Sequence, residues 1–293
     1  MIARRLPLWI VCLAALASTG CGQEADTAPP VAAVTLAVAR PDAMVGGPVE
    51  MTYTFTVAAD APPLPDGEMV FVHFRDADGE LMWTDDHPLP TSPEAWKPGA
   101  ALSYRRTMFV PKIPYVGETR VELGLYAPKT GERLPLAAPA AGRRAYAVAA
   151  FNLQLQSDAL FVVFKDGWHP TEQAADNLRE WQWSKRQATL AFRNPRKEVV
   201  LYLQLDRATG FPEPQTVTLH IGDAEVERFS LPPNGADLRK VRLSVAQLGE
   251  GDVVEVRVEV DRTFVPGALP GSTSHDPREL GVRVFRAFVE PAA

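Results

Sequence analysis

Val254-Glu255-Val256-Arg257-Val258-Glu259-Val260-Asp261 sets an apolar side chain against a charged one at every step. A strand turns successive side chains to opposite faces, so the four valines line one face and the charges the other. That is the pattern of a strand with one face on a core and one in water. Met51-Thr52-Tyr53-Thr54-Phe55-Thr56-Val57 repeats it with threonine in place of charge. Outward from these two, short apolar runs recur at Val31–Ala39, Met69–Arg75, Leu81–Thr84, Leu102–Val110 and Arg120–Tyr126. A second series follows at Ala159–Phe164, Trp181–Trp183, Ala188–Arg193, Val199–Asp206, Thr216–Ile221 and Gly281–Val289. The 27 prolines and 20 glycines are spread between them as turn signals. Asp76-Ala77-Asp78-Gly79 and Pro128-Lys129-Thr130-Gly131 are two such turns, each closing on a glycine that accepts positive φ. Only Thr171–Leu178 has the look of a helical turn or two.

The fold class expected is all-β, two tandem β-sandwiches, immunoglobulin-like then jelly-roll-like. A chain of 293 residues exceeds what one hydrophobic core usually serves, which favours two domains. The first sandwich is assigned to 31–152 and the second to 153–293. No internal repeat relates the two.

The N-terminus carries different information. Arg4 and Arg5 precede an apolar run from Leu6 to Leu16, then Ala17-Ser18-Thr19-Gly20 leads into Cys21. This order resembles a bacterial lipoprotein signal with its lipobox. The run is shorter than the roughly 20 residues of a membrane span. The resemblance implies removal of residues 1–20 and a lipid on Cys21, with 21–30 as a tether of about 30 Å at full stretch. It also implies a chain anchored in the cell envelope and facing the periplasm. Gly22 stands where inner-membrane retention would call for aspartate, which favours the outer membrane.

Charge and cysteine content bound the remaining options. Loss of Arg4 and Arg5 lowers Lys+Arg from 30 to 28 against 36 Asp+Glu, a net charge of −8. That balance argues against nucleic acid, whose phosphates demand a basic stripe. Cys12 lies in the signal, so a lipidated Cys21 leaves no thiol for a disulfide or a nucleophile.

Gly167-Trp168-His169-Pro170-Thr171-Glu172, Trp181-Gln182-Trp183 and Asp276-Pro277-Arg278-Glu279-Leu280-Gly281-Val282-Arg283 follow in order through the second half. They resemble the small β-sandwich modules attached to bacterial surface-polysaccharide glycosyltransferases. In the first half, Phe71-Val72-His73-Phe74, Asp85-Asp86-His87-Pro88, Trp96-Lys97-Pro98-Gly99 and Gly131-Glu132-Arg133-Leu134 resemble the immunoglobulin-like domain of some membrane glycosyltransferases. The second-half resemblance implies a carbohydrate-related, non-catalytic module, and both together point toward cell-envelope polysaccharide work.

The residue types suit that work, since sugar C–H faces pack on indole while carboxylates and guanidinium hydrogen-bond hydroxyls. Trp168, Glu172, Trp181, Trp183, Arg278 and Glu279 are therefore the candidate carbohydrate-binding residues. A second reading stands beside this one. Trp181 and Trp183, two apart on a strand, face one side, and because large aromatics are usually buried a core role is favoured over ligand contact, with Glu172–Arg278 a structural ion pair. A divalent ion at His73, Asp85, Asp86 and His87 is a competing idea, but Asp-Gly hairpin turns are far commoner than calcium loops. No metal and no cofactor is expected. No Gly-x-Ser-x-Gly elbow, His-Glu-x-x-His pair or phosphate-binding glycine loop is present, and no enzyme is expected. The expected partners are the membrane through Cys21 and an envelope polysaccharide; the alternative is a structural lipoprotein docked on an envelope protein complex.

Overall fold

The computed structural model describes residues 27–64, 67–156, 160–175, 179–207, 214–233 and 235–292. Cys21 and the signal segment lie outside them. In chain order the first sandwich contains β1 (Ala32–Val38), β2 (Asp42–Met44), β3 (Pro48–Val57), β4 (Met69–Arg75), β5 (Leu81–Thr84) and β6 (His87–Pro88). It continues with β7 (Ala101–Phe109), β8 (Gly117–Tyr126), β9 (Arg133–Leu134), β10 (Leu136–Ala137), β11 (Ala140–Gly142) and β12 (Ala145–Gln154). One sheet runs β10-β1-β3-β7 and the other β11-β12-β8-β4-β5. After β1 the chain crosses between sheets, so β2 pairs in parallel with the final strand β12. This is an immunoglobulin-type arrangement.

The alternation in β3 sends Met51, Tyr53, Phe55 and Val57 into the core, all essentially free of solvent. Within each sheet stacked aromatics join paired strands, β3 to β7 in one and β4 to β5 in the other. Tyr53 lies on Tyr104 at 4.9 Å and Phe74 on Trp83 at 4.5 Å. Both expected turns form, with Gly79 at φ +86° and Gly131 at φ +70°. Asp76 Oδ1 caps the first by accepting from the amides of Asp78 and Glu80.

The second sandwich contains β13 (Val163–Phe164), β14 (Glu172–Gln173), β15 (Glu180–Trp183), β16 (Gln187–Arg193) and β17 (Val199–Arg207). Then come β18 (Gln215–Ile221), β19 (Ala224–Leu231), β20 (Asp237–Leu243), the short helix α1 (Val245–Leu248), β21 (Val253–Val260) and β22 (Val282–Pro291). The sheet orders are β13-β16-β21-β18-β19 and β14-β15-β22-β17-β20. Strands β15 to β22 thus divide four and four between the sheets in the order of a jelly roll. Val254, Val256, Val258 and Val260 of β21 face the core, each at most 2% exposed.

Thr171–Leu178 is corrected: Glu172 and Gln173 are in strand β14, paired with Trp181 and Glu180, while 176–178 lie outside the described residues. Pairing to the tryptophan strand outweighs the weak helical preference of so short a segment.

The two sandwiches touch through their own small core. Val200, Tyr202 and Phe288 of the second pack with Met44 and Phe109 of the first. Ion pairs Arg40–Glu290 (2.9 Å) and Lys112–Glu180 (2.6 Å) flank it, as does Lys240–Glu50.

Candidate functional site

Register decides where the tryptophans point. Trp183 lies opposite Arg283, and Gln182 opposite Val284. Val282 and Val284 are buried in the core, so alternation sends Arg283 and Phe285 to the outer face with Trp181 and Trp183. None of these four is fully buried and none fully exposed. The Arg283 guanidinium lies 5.1 Å from the Trp181 ring centre, 5.4 Å from Trp183 and 5.1 Å from Phe285. A cation at that range is held by the ring quadrupoles. Asp206, opposite Arg283 on β17, takes its guanidinium in two bonds of 2.9 and 2.6 Å. That fork fixes the guanidinium plane and, with it, the ring spacing.

Glu172 adjoins this cluster. Its Oε2 accepts from the Trp181 indole N–H at 3.1 Å, and its Oε1 pairs with Arg278 at 2.7 Å. Arg278 also clamps Asp276 at 2.7 Å, and this bonding pulls the Asp276 carboxyl down to about 2. The two ends of the sandwich are therefore joined by an ion pair at the edge of the aromatic face. Glu279 is engaged elsewhere, accepting from the Thr263 hydroxyl at 2.8 Å while its carbonyl accepts from His169 Nε2 at 2.7 Å. Trp168 turns to the other sheet. Its indole N–H donates to the Thr189 carbonyl at 2.8 Å and its ring meets Phe164 edge-on. Of the six candidates, Trp181, Trp183, Glu172 and Arg278 come together; Trp168 and Glu279 do not join them.

A groove of about 590 Å³ opens beside Trp181 and Phe285, between the sandwiches. Leu155 and Phe161, 73% and 61% exposed, stand at its side. Its polar wall is Glu180, which accepts from Lys112 at 2.6 Å and Arg286 at 3.4 Å. The lysine bond holds the Glu180 carboxyl below its ordinary range. The volume falls within the roughly 300–1,000 Å³ of ligand pockets. Sequence reasoning missed Arg283 as the organising cation, and missed Phe285 and Phe161. The alternation Val282-Arg283-Val284-Phe285 carried the signal for the first two.

The first-domain acids and histidines have other employment. Asp85 forks onto Arg106 at 2.8 and 3.1 Å, and Asp86 Oδ1 accepts from the Val72 amide. His87 is in the two-residue strand β6 and only 3% exposed. Its Nδ1 donates to the Asp85 carbonyl, so Nε2 accepts from the Tyr104 hydroxyl, both at 2.8 Å. Among the described residues no three His, Asp or Glu converge as metal ligands. Trp83 and Trp96 are core residues.

No protein-family model and no curated protein matches this chain. Solved structures similar to it include SGBP-B from a complex xyloglucan utilization locus in Bacteroides uniformis. That match has 9% identity and a TM-score of 0.27, over 90% of this chain and 100% of that one. A family 43 arabinoxylan arabinofuranohydrolase from Bacillus subtilis matches at 8% identity and 0.27, over 89% and 54%. The alkylpurine DNA glycosylase AlkC from Pseudomonas fluorescens matches at 16% and 0.28, over 43% and 31%. This chain thus spans less than two thirds of the last two. At these scores the likeness extends no further than β-rich architecture.

Proposed function

We propose that this chain is a lipid-anchored cell-envelope protein that binds carbohydrate without transforming it. The anchor is Cys21, reached through the signal-like segment before it. The observation carrying the binding role is the outer face of β15 and β22. There Trp181, Trp183 and Phe285 are set around one guanidinium, half-buried, beside a groove of ligand size. Flat rings fixed at the rim of a groove suit the C–H faces of a sugar, and the Glu180 and Glu172 carboxylates suit its hydroxyls. Titrating the protein's tryptophan fluorescence with polysaccharide from the source cell's envelope tests this. A saturable change that fades in a folded Trp181→Ala variant is the expected result; a flat titration with intact folding overturns it. Cys21→Ser is expected to move the chain from the membrane fraction to the soluble one.

A structural role docked on an envelope protein complex is the second reading. The exposed Leu155, Phe161 and Val163 near the joint favour it. A flat glycan titration, with recovery of an envelope protein whose binding is lost in Phe161→Ser, would transfer the assignment to that role.

A further inference from the structure

Two cations, Arg283 and Arg278, border the aromatic face, and two, Lys112 and Arg286, line the groove beside it; each already has a carboxylate. Arg283 is forked by Asp206. Arg278 is held between Asp276 and Glu172. Lys112 and Arg286 share Glu180. Lys112, Arg278, Arg283 and Arg286 thus meet Asp206, Asp276, Glu172 and Glu180, four charges against four. An anionic sugar entering here would have to displace one of these carboxylates to find a guanidinium, and would leave that carboxylate facing it. Like charges brought together in a partly desolvated site are costly. An uncharged sugar meets no such opposition. The paired groups still offer hydrogen bonds, because a carboxylate has about four acceptor sites and a guanidinium five donors, more than one salt bridge occupies.

We infer that the aromatic face together with the groove beside it is built for an uncharged glycan, and that the ion pairs around the two exclude uronate, sulfate and phosphate-bearing chains. This rests on the carbohydrate-binding reading above and specifies its ligand class. The groove lies between the sandwiches, with Lys112 from the first domain on its polar wall and Trp181 and Phe285 from the second along its aromatic side. The same chain of sugars therefore touches both domains.

The test presents the full-length protein in detergent with two probe sets, uncharged gluco- and xylo-oligosaccharides and acidic oligogalacturonate and oligoalginate. Binding confined to the uncharged set is expected, its affinity changing by less than about twofold between low and high salt because no net charge is neutralised. Asp206→Asn frees Arg283 without removing it. That variant is expected to gain salt-sensitive affinity for oligogalacturonate, with its melting temperature checked against the parent. Acidic oligomers bound by the parent, with affinity falling steeply in salt, would overturn the neutral assignment while leaving carbohydrate binding intact. Failure of both probe sets, and of the envelope extract, would remove the carbohydrate reading and this inference with it. An Asp206→Asn variant that folds and still ignores oligogalacturonate would show that the ion pairs are not what sets the selectivity.

Discussion

The ring of Phe288 occupies the space that a side chain at Gly47 would need. A methyl group on Gly47 would lie 2.9 Å from Phe288 Cζ and 3.1 Å from the Met44 carbonyl. One residue belongs to the last strand of the second sandwich and the other to the loop before β3 of the first. The missing side chain of the one is filled by the ring of the other, which sets how closely the domains approach at the groove.

Gly47→Ala is accordingly expected to lower stability by about 1–3 kcal/mol, the usual effect of overpacking. Part of the strain falls on the Met44 carbonyl and part on the Phe288 ring. A cycle with Phe288→Leu separates them: thermal melts of the two singles and the double are expected to be non-additive by about 0.5 kcal/mol or more. Strict additivity would mean that the ring and the glycine do not oppose one another in solution.

His87 predicts a pH dependence with a definite sign. Burial is the largest influence on it and pushes its pKa below the ordinary imidazole value; burial does the same to His73. The unfolded chain then takes up protons that the folded one resists. The stability that goes with neutral His87 and His73 is fully present above about pH 6.5 and is lost as pH falls toward their folded values. Urea denaturation should therefore show a falling midpoint below about pH 6.5. His87→Phe is expected to reduce that slope. It should also cost about 1–3 kcal/mol at neutral pH, because the Tyr104 hydroxyl and the Asp85 carbonyl lose their partner. An unchanged slope would assign the titration to other groups.

Asn194, 7% exposed, closes the turn after β16. Its Nδ2 donates to the carbonyls of Gly249 (2.9 Å) and Gly251 (3.0 Å), while its Oδ1 accepts from the Arg196 amide at 3.0 Å. One amide therefore ties the β16–β17 turn to the end of α1. Asn194→Ala is expected to destabilise by about 1–3 kcal/mol through unmade bonds at carbonyls shielded from water. Asn194→Asp retains the acceptor and loses both donations, so it should be nearly as costly in chemical denaturation.

Where one face of a strand met a core and the other met water, the sequence was enough to find it. Met69–Arg75 and Leu81–Thr84 have the bounds expected of them, and the Val254–Asp261 stretch shifts by one residue, to Val253–Val260. The strands that escaped notice lack that contrast. Ala145–Gln154 has four alanines in its first six residues, and Ala224–Leu231 and Asp237–Leu243 are sheet edges carrying charge on much of their length. Charge on an edge guards against further pairing and at the same time masks the strand. Glu172 and Arg278 were legible as an ion pair because the ends of a sandwich have to meet somewhere. Arg283 was not legible as the centre of the aromatic face. Its contact with Trp183 spans a separation of 100 positions and depends on the pairing of β15 with β22, which no local pattern fixes.

Trp181 has two duties, and graded substitutions separate them. Its ring stacks on Arg283 and meets Phe285 edge-on, while its N–H donates to Glu172. Trp181→Phe preserves a flat ring over the guanidinium and deletes the donor, at a cost in stability of about 0.5–1.5 kcal/mol. Glycan affinity should then fall only severalfold. Trp181→Ala removes the ring that a sugar would cover, and affinity should fall beyond measurement while the melt stays cooperative, since the ring lies on the outer face and not in the core. Isothermal calorimetry of the three proteins against an uncharged oligosaccharide reads the series. Equal losses in Phe and Ala would place the interaction on the indole N–H and Glu172 instead of the ring. Loss of the cooperative melt in Trp181→Ala would make the residue a strut of the β15–β22 edge, with ligand contact left to Phe285 and the groove.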